Sequence, residues 1–220
     1  MRKTSIFTVI VFAALVVLTM PAYADSFVTF SQPAPPYTTS TIDFGGGDGS
    51  GNSITSLEPF TFSAPMQEFP VTNNPNVIWS TWNFPPAVES NTPNVLFDNF
   101  ATTVTLTLSR NPNIVGFELE PFDFAVEDVT AEFFNQNDAP IDTIDLLVNG
   151  QNGALLFALE DTTPGASISS VVITDNTPNN GGFAIAQLRA NPAPEPGTLS
   201  LLGLGMLGLA GFTYRKMVNG

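Results

Sequence analysis

Thr103-Val104-Thr105-Leu106-Thr107-Leu108-Ser109 alternates without a break between a hydroxyl side chain and an aliphatic one. A period of two puts Val104, Leu106 and Leu108 on one face and the hydroxyls on the other, which is the pattern of a half-buried strand. Asn111-Pro112-Asn113 then supplies turn residues, and Val115, Phe117 and Leu119 alternate with Gly116, Glu118 and Glu120. Val129, Ala131 and Phe133 repeat the pattern against Thr130, Glu132 and Phe134. The apolar stretches 141–148 and 154–159 flank Asn149-Gly150, a hairpin-type turn signal, and 167–174 and 183–188 complete the set. Short strands separated by Asn, Pro and Gly clusters, with no amphipathic helix between them, predict an all-β fold. The expected architecture is an antiparallel β-sandwich, jelly-roll-like, over residues 25–190.

Residues 25–95 are less regular. Pro33, Pro35 and Pro36 and the run Gly45-Gly46-Gly47-Asp48-Gly49-Ser50-Gly51 mark loops around an expected strand at 40–44. Segments 54–57, 60–63, 68–72 and 76–82 have strand character, and their prolines confine them to sheet edges or irregular structure. Phenylalanine is abundant at 19 and tyrosine scarce at 3, so the aromatics read chiefly as core filler. No internal repeat is present.

Cysteine and histidine are absent. Without cysteine there is no disulfide framework, so a hydrophobic core must hold the body together. A Ser-His-Asp type triad and the usual zinc or copper sites are excluded as well. Between residues 25 and 190 there are 19 acidic side chains and only two basic ones, Arg110 and Arg189. That field repels a polyanion, which excludes nucleic acid as a partner.

Both ends differ in kind from the middle. Arg2 and Lys3 precede an apolar stretch from 6 to 20, and Ala22 and Ala24 put small residues where signal peptidase requires them. Residues 1–24 therefore read as a secretory signal peptide passed through the Sec translocon. At the other end, Pro194, Glu195 and Pro196 precede an uncharged segment, 197–214, long enough as a helix to span roughly 27 Å of hydrocarbon. Arg215 and Lys216 follow as a cytoplasmic stop. Gly205, Gly208 and Gly211 form a smooth stripe on that segment, suited to close packing by a second helix.

A Pro-Glu-Pro motif, a single span and a basic cluster resemble the PEP-CTERM sorting signal of bacterial surface proteins, here over 191–220. The resemblance implies recognition by exosortase, a membrane-embedded cysteine transpeptidase. The protein would be held transiently in the inner membrane, cut near Pro194, Glu195 and Pro196, and passed to the cell surface or medium. Two departures from the family pattern are Ala193, where valine is common, and a basic cluster of only two residues. The second half of the body also resembles the jelly-roll or lectin-like domains that often precede this tail. That likeness rests on F-D-N-F (97–100), V-G-F-E-L (115–119), V-T-A-E-F-F-N (129–135), I-S-S-V-V-I-T (168–174) and F-A-I-A-Q-L (183–188). Such bodies often carry paired aspartates in the last strand, where this chain has Ala186 and Gln187.

Three constellations are candidates for chemistry. Asp43, Asp48 and Asn52 surround the glycine-rich loop and offer hard oxygen ligands suited to calcium; the competing reading is a solvated turn. Glu118, Glu120, Asp123, Glu127 and Asp128 form an acidic group. Glu118 and Glu120 share a face, which is expected to be the solvated outer side of a sheet. A glycosidase would need two such carboxylates at a defined separation. Trp79, Trp82 and Phe84 could offer a stacking surface to sugar rings, but a spacing of three on a strand sends the tryptophans to opposite faces. No catalytic residue is assigned. The expected function is a structural or adhesive surface or matrix component. The alternative is a carbohydrate-binding module for exopolysaccharide, with or without calcium, and a glycan hydrolase ranks third.

Overall fold

In a computed structural model of the protein, residues 26–37, 43–44, 51–72, 79–151, 153–163, 165, 167–177 and 181–192 are described. The alternating stretch that opens the sequence reading is β6 (Thr103–Leu108), one of twelve strands among the described residues. Before it come β1 (Phe27–Phe30), β2 (Asp43–Phe44), β3 (Ser53–Leu57), β4 (Phe60–Pro70) and β5 (Asn94–Phe97). After it come β7 (Pro112–Pro121), β8 (Val126–Asn135), β9 (Pro140–Asn149), β10 (Leu155–Asp161), β11 (Ile168–Asp175) and β12 (Phe183–Pro192). Among the described residues no helix is long and apolar enough to cross a membrane. The expected signal peptide and membrane span lie outside the described residues.

All pairings are antiparallel, along one path: β1-β10-β7-β12-β5-β4-β6-β11-β8-β9, with β2 beside β12 and β3 beside β4. The expected sandwich is thus one continuous sheet that doubles back and nearly closes on itself. β4 makes the corner. Its first residues pair with β6 (Phe60 with Leu108, Phe62 with Leu106), and its last pair with β5 (Gln67 with Phe97, Pro70 with Asn94). Pro65 lies between the two paired stretches, where its missing N–H interrupts neither ladder. Hence a proline-containing segment forms one long internal strand rather than the two short edge pieces its composition suggested.

The layers enclose one core, with Phe62, Leu96, Leu106, Phe117, Phe133, Phe157, Ile173 and Ile185 among its members. Phe117 and Phe157 are cross-strand partners whose rings stack at 5.7 Å. β6 and β8 alternate between buried and exposed positions, so their outer faces meet water. β7 is buried almost throughout, because its outer face is covered too. Tyr37 packs there with Ile114, Leu156 and Ala158, and Trp79, Trp82 and Val88 pack with Ala154, Ala184 and Ala186. A groove of about 380 Å³ between β1, β9 and β10, lined by Phe30, Ile144, Leu146 and Leu155, marks where closure is incomplete.

Two local devices make double burial work. At Gln187 (φ 50°) a bulge sets Gln187 and Leu188 opposite a single residue of β7. This resets the alternation, so Leu188 joins the core while Arg189 faces the covered outer side. At Gly116, opposite Ala158, an added methyl would collide with the Ala158 Cβ and lie 2.7 Å from the Tyr37 ring. Gly116→Ala should therefore cost about 1–3 kcal/mol, read as a lower urea midpoint at unchanged slope. An unchanged midpoint would mean that neither Ala158 nor Tyr37 packs this closely on the strand.

Candidate functional site

The strand directions bring the chain that follows β5, β7, β9 and β11 to one end of the sheet; its described residues are 98–102, 122–125, 150–151, 153–154, 176–177 and 181–182. Backbone hydrogen bonds lace them together. Asp98 N donates to Phe183 O at 3.1 Å, Phe122 N to Gly182 O at 2.8 Å, Gly150 N to Ala125 O at 2.9 Å, and Asn176 N to Asp128 O at 2.8 Å.

Carboxylates face inward at this rim. Asp98 lies two residues beyond Leu96, Asp175 two beyond Ile173, and Glu127 two before Val129. Strand alternation therefore sends each the same way as its core neighbour, and all three are buried. Asp123 stands in the β7–β8 turn, close enough to Glu127 to affect its ionisation. One oxygen of each aspartate is used locally: Asp98 Oδ1 accepts from Phe100 N (3.1 Å), Asp123 Oδ1 from Ala125 N (2.9 Å), and Asp175 Oδ1 from Thr177 N (2.9 Å). Asp98 Oδ2, Asp175 Oδ2 and both Glu127 oxygens are buried without a hydrogen-bond partner. Burial lifts Asp98 from 3.8 to about 7. Glu127 is raised too, first by burial and then by Asp175 and Asp123 beside it.

Aromatic rings project outward from the same loops. Asn99 and Phe100 both have positive φ, 55° and 69°. This left-handed turn is fixed by the Asp98 carboxylate and by Gly182, where any side chain would strike Asp98. The turn leaves Phe100 59% exposed, edge-on to Phe97 at 5.1 Å and to Phe122 at 5.6 Å. Phe124 is 68% exposed. β5 ends at Phe97, and the next three residues form this turn.

The covered face of β7 holds a separate polar network. Glu118 and Glu120 do share a face, but they are fully buried, which corrects the expected solvated surface. The reason is the segment 79–92, which folds across them. Trp82 Nε1 donates to Glu118 Oε2 at 2.9 Å, Glu89 N to Glu118 Oε1 at 2.5 Å, and Thr81 Oγ1 to Glu120 Oε1 at 2.7 Å. Arg189 forms a two-pronged pair with Glu89, both bonds 2.6 Å, and its guanidinium lies 5.7 Å from the Tyr37 ring centroid. Neither glutamate is placed to reach a sugar in solvent.

Trp79 and Trp82 are both buried, in irregular chain rather than on a strand, whereas Phe84 is exposed. No stacking surface of three rings forms, and the two tryptophans are packing residues. Asp43 lies on β2, its backbone opposite Arg189, and Asn52 is exposed, its carbonyl accepting from Glu68 N. Asp48, Ala22, Ala24, Pro194, Glu195, Pro196, Arg215 and Lys216 lie outside the described residues. The inward rim was missed, although the parity of Asp98, Glu127 and Asp175 with their apolar neighbours was there to be read.

Burial is the main cause that lifts Glu118 from 4.5 to about 7, opposed by the Trp82 and Glu89 hydrogen bonds. An acid with a higher pKa in the folded state stabilises folding below its unfolded value. That contribution is lost as pH rises from 4.5 through about 7. Trp82→Phe leaves a buried carboxylate oxygen without its donor. It should lower stability by about 1–3 kcal/mol, more at pH 8 than at pH 5, in urea titrations at both pH values. An equal loss at both would detach the indole from the ionised group.

No curated protein matches the chain. Among solved structures it is similar to the enzymatically active domain of tailspike protein 4 from bacteriophage CBA120. The TM-score is 0.36 at 15% identity, over 67% of this chain and 21% of the phage chain. The chain thus spans about a fifth of that protein's length. Residues 192–216 match the model of the PEP-CTERM protein-sorting motif. The chain carries, at its C-terminal end, the sorting motif of PEP-CTERM proteins.

Proposed function

We propose that this is an exported bacterial surface or extracellular-matrix protein, delivered by exosortase through residues 192–216, with a non-enzymatic structural or adhesive β body. The observation that carries the sorting half is the motif match. The signal-peptide pattern over 1–24, the uncharged segment 197–214 and the Arg215-Lys216 cluster support it. For the body, the absence of histidine and cysteine removes the commonest nucleophile and base pairs. The burial of Glu118 and Glu120 keeps those two carboxylates away from a sugar in solvent. Glu195→Ala should leave the full-length protein in the inner membrane, seen by fractionation and intact mass. Normal surface delivery of that variant would contradict exosortase handling.

A second reading, carbohydrate binding, is favoured by the exposed rings of Phe100 and Phe124 at one loop end. Exposed aromatic faces suit stacking against sugar rings, and Phe100 is braced by Phe97 and Phe122. The acidic body points to a neutral polymer such as an uncharged exopolysaccharide. Phe100→Ala and Phe124→Ala should each weaken retention on the organism's exopolysaccharide at least about tenfold, worth about 1.4 kcal/mol. The melting temperature should be unchanged for Phe124→Ala and lowered by only a few degrees for Phe100→Ala, which loses its contacts with Phe97 and Phe122. Equal retention of both variants would exclude these rings as a glycan platform.

A further inference from the structure

We propose that Asp98, Asp123, Glu127 and Asp175 form a binding site for a calcium-like divalent cation at the loop-bearing end of the sheet. Four separate elements deliver these carboxylates: the end of β5, the β7–β8 turn, the start of β8 and the end of β11. Glu127 is fully buried, yet no N–H or O–H donor reaches either of its oxygens, which lie instead beside the Asp175 and Asp123 carboxyls, and Asp98 Oδ2 and Asp175 Oδ2 lack a donor as well. The local turns occupy only Oδ1 of each aspartate, so the second oxygens remain to meet a ligand. No basic side chain of the body is placed to pair with them. Arg110 and Arg189 are the only basic side chains among the described residues; Arg110 stands 3.6 Å from Glu58 at the surface, and Arg189 is paired with Glu89.

Inward carboxylates with no cationic side chain in reach call for a cation from outside. An all-oxygen donor set suits calcium, whose coordination number and geometry are permissive. No group of three or more acidic side chains among the described residues is already arranged to hold a metal ion. Binding therefore requires the carboxylates to converge by side-chain rotation rather than to fill a finished shell. This rim is separate from the Asp43, Asp48 and Asn52 set.

The test is thermal unfolding of the full chain in detergent, stripped with chelator and titrated with calcium chloride at constant ionic strength. The midpoint should rise by about 5–10 °C when calcium reaches a hundredfold excess over its dissociation constant. Glu127→Gln should abolish that rise while remaining at least as stable as the parent in chelator, since it removes a buried charge without a counterion. If Glu127→Gln does not fold, Asp175→Asn carries the same arm. Asp48→Asn should keep the full rise. A parent that ignores calcium would overturn the proposal and leave the carboxylates sharing protons instead. A rise that survives both Glu127→Gln and Asp175→Asn, or that disappears in Asp48→Asn, would overturn it equally.

Discussion

Positive charge is the scarce component of this fold, and the arrangement of its acids follows from that scarcity. Between residues 25 and 190, 19 carboxylates share two arginines, and one of those, Arg110, is at the surface beside Glu58. Arg189 is buried against Glu89 and the Tyr37 ring. Every other buried carboxylate must be stabilised by neutral donors, by a proton or by an ion from solvent, because an ionised group alone in an apolar interior is costly. Glu118 takes an indole N–H and a backbone N–H, and Glu120 takes the Thr81 hydroxyl. The rim acids have only backbone donors, and those reach one oxygen of each aspartate.

The same constraint explains why one half of the sheet is covered on both sides. Polar groups on the outer face of β7 need partners, and segment 79–92 brings them together with an apolar cover of Trp79, Trp82 and Val88. The bulge at Gln187 is what lets β12 serve both sides, sending Leu188 inward and Arg189 outward within two residues. Gly116 allows Tyr37 to lie close enough to complete the cover. The other half, built from β6, β8, β9 and β11, has no such cover over its outer face, and its register shifts at Ile168–Ser170 and Phe133–Phe134 fall within hydrated ladders.

That division also separates what was legible from what was not. β6, β8 and the core face of β7 could be read because a half-buried strand prints its period into the residues, as Val104, Leu106 and Leu108 do. β4 was harder, since a strand that turns a corner at Pro65 looks locally like two fragments. β1 escaped notice altogether: Phe27 and Val28 are exposed on an edge strand, and pairing rather than burial makes it a strand. For Glu118 and Glu120 the parity was right and the environment wrong. Segment 79–92 has no periodicity, so nothing local announces that it folds across β7. The inward parity of Asp98, Glu127 and Asp175 can be read from their apolar neighbours, but their meeting at one rim is a property of strands brought together, visible only once the register is known. The sorting motif is the opposite case: its order of Pro-Glu-Pro, span and cations is carried by the linear sequence alone.

The direct test of buried acidity under cation scarcity is a carboxyl carbon-13 NMR titration of the protein, following Glu118 by its loss in Glu118→Gln. A carboxylate enclosed by Trp82 and segment 79–92 should titrate near 7, well above the ordinary 4.5. A midpoint between 4 and 5, about the range of solvated glutamates, would show that the segment does not enclose it and would contradict the packing described for this face.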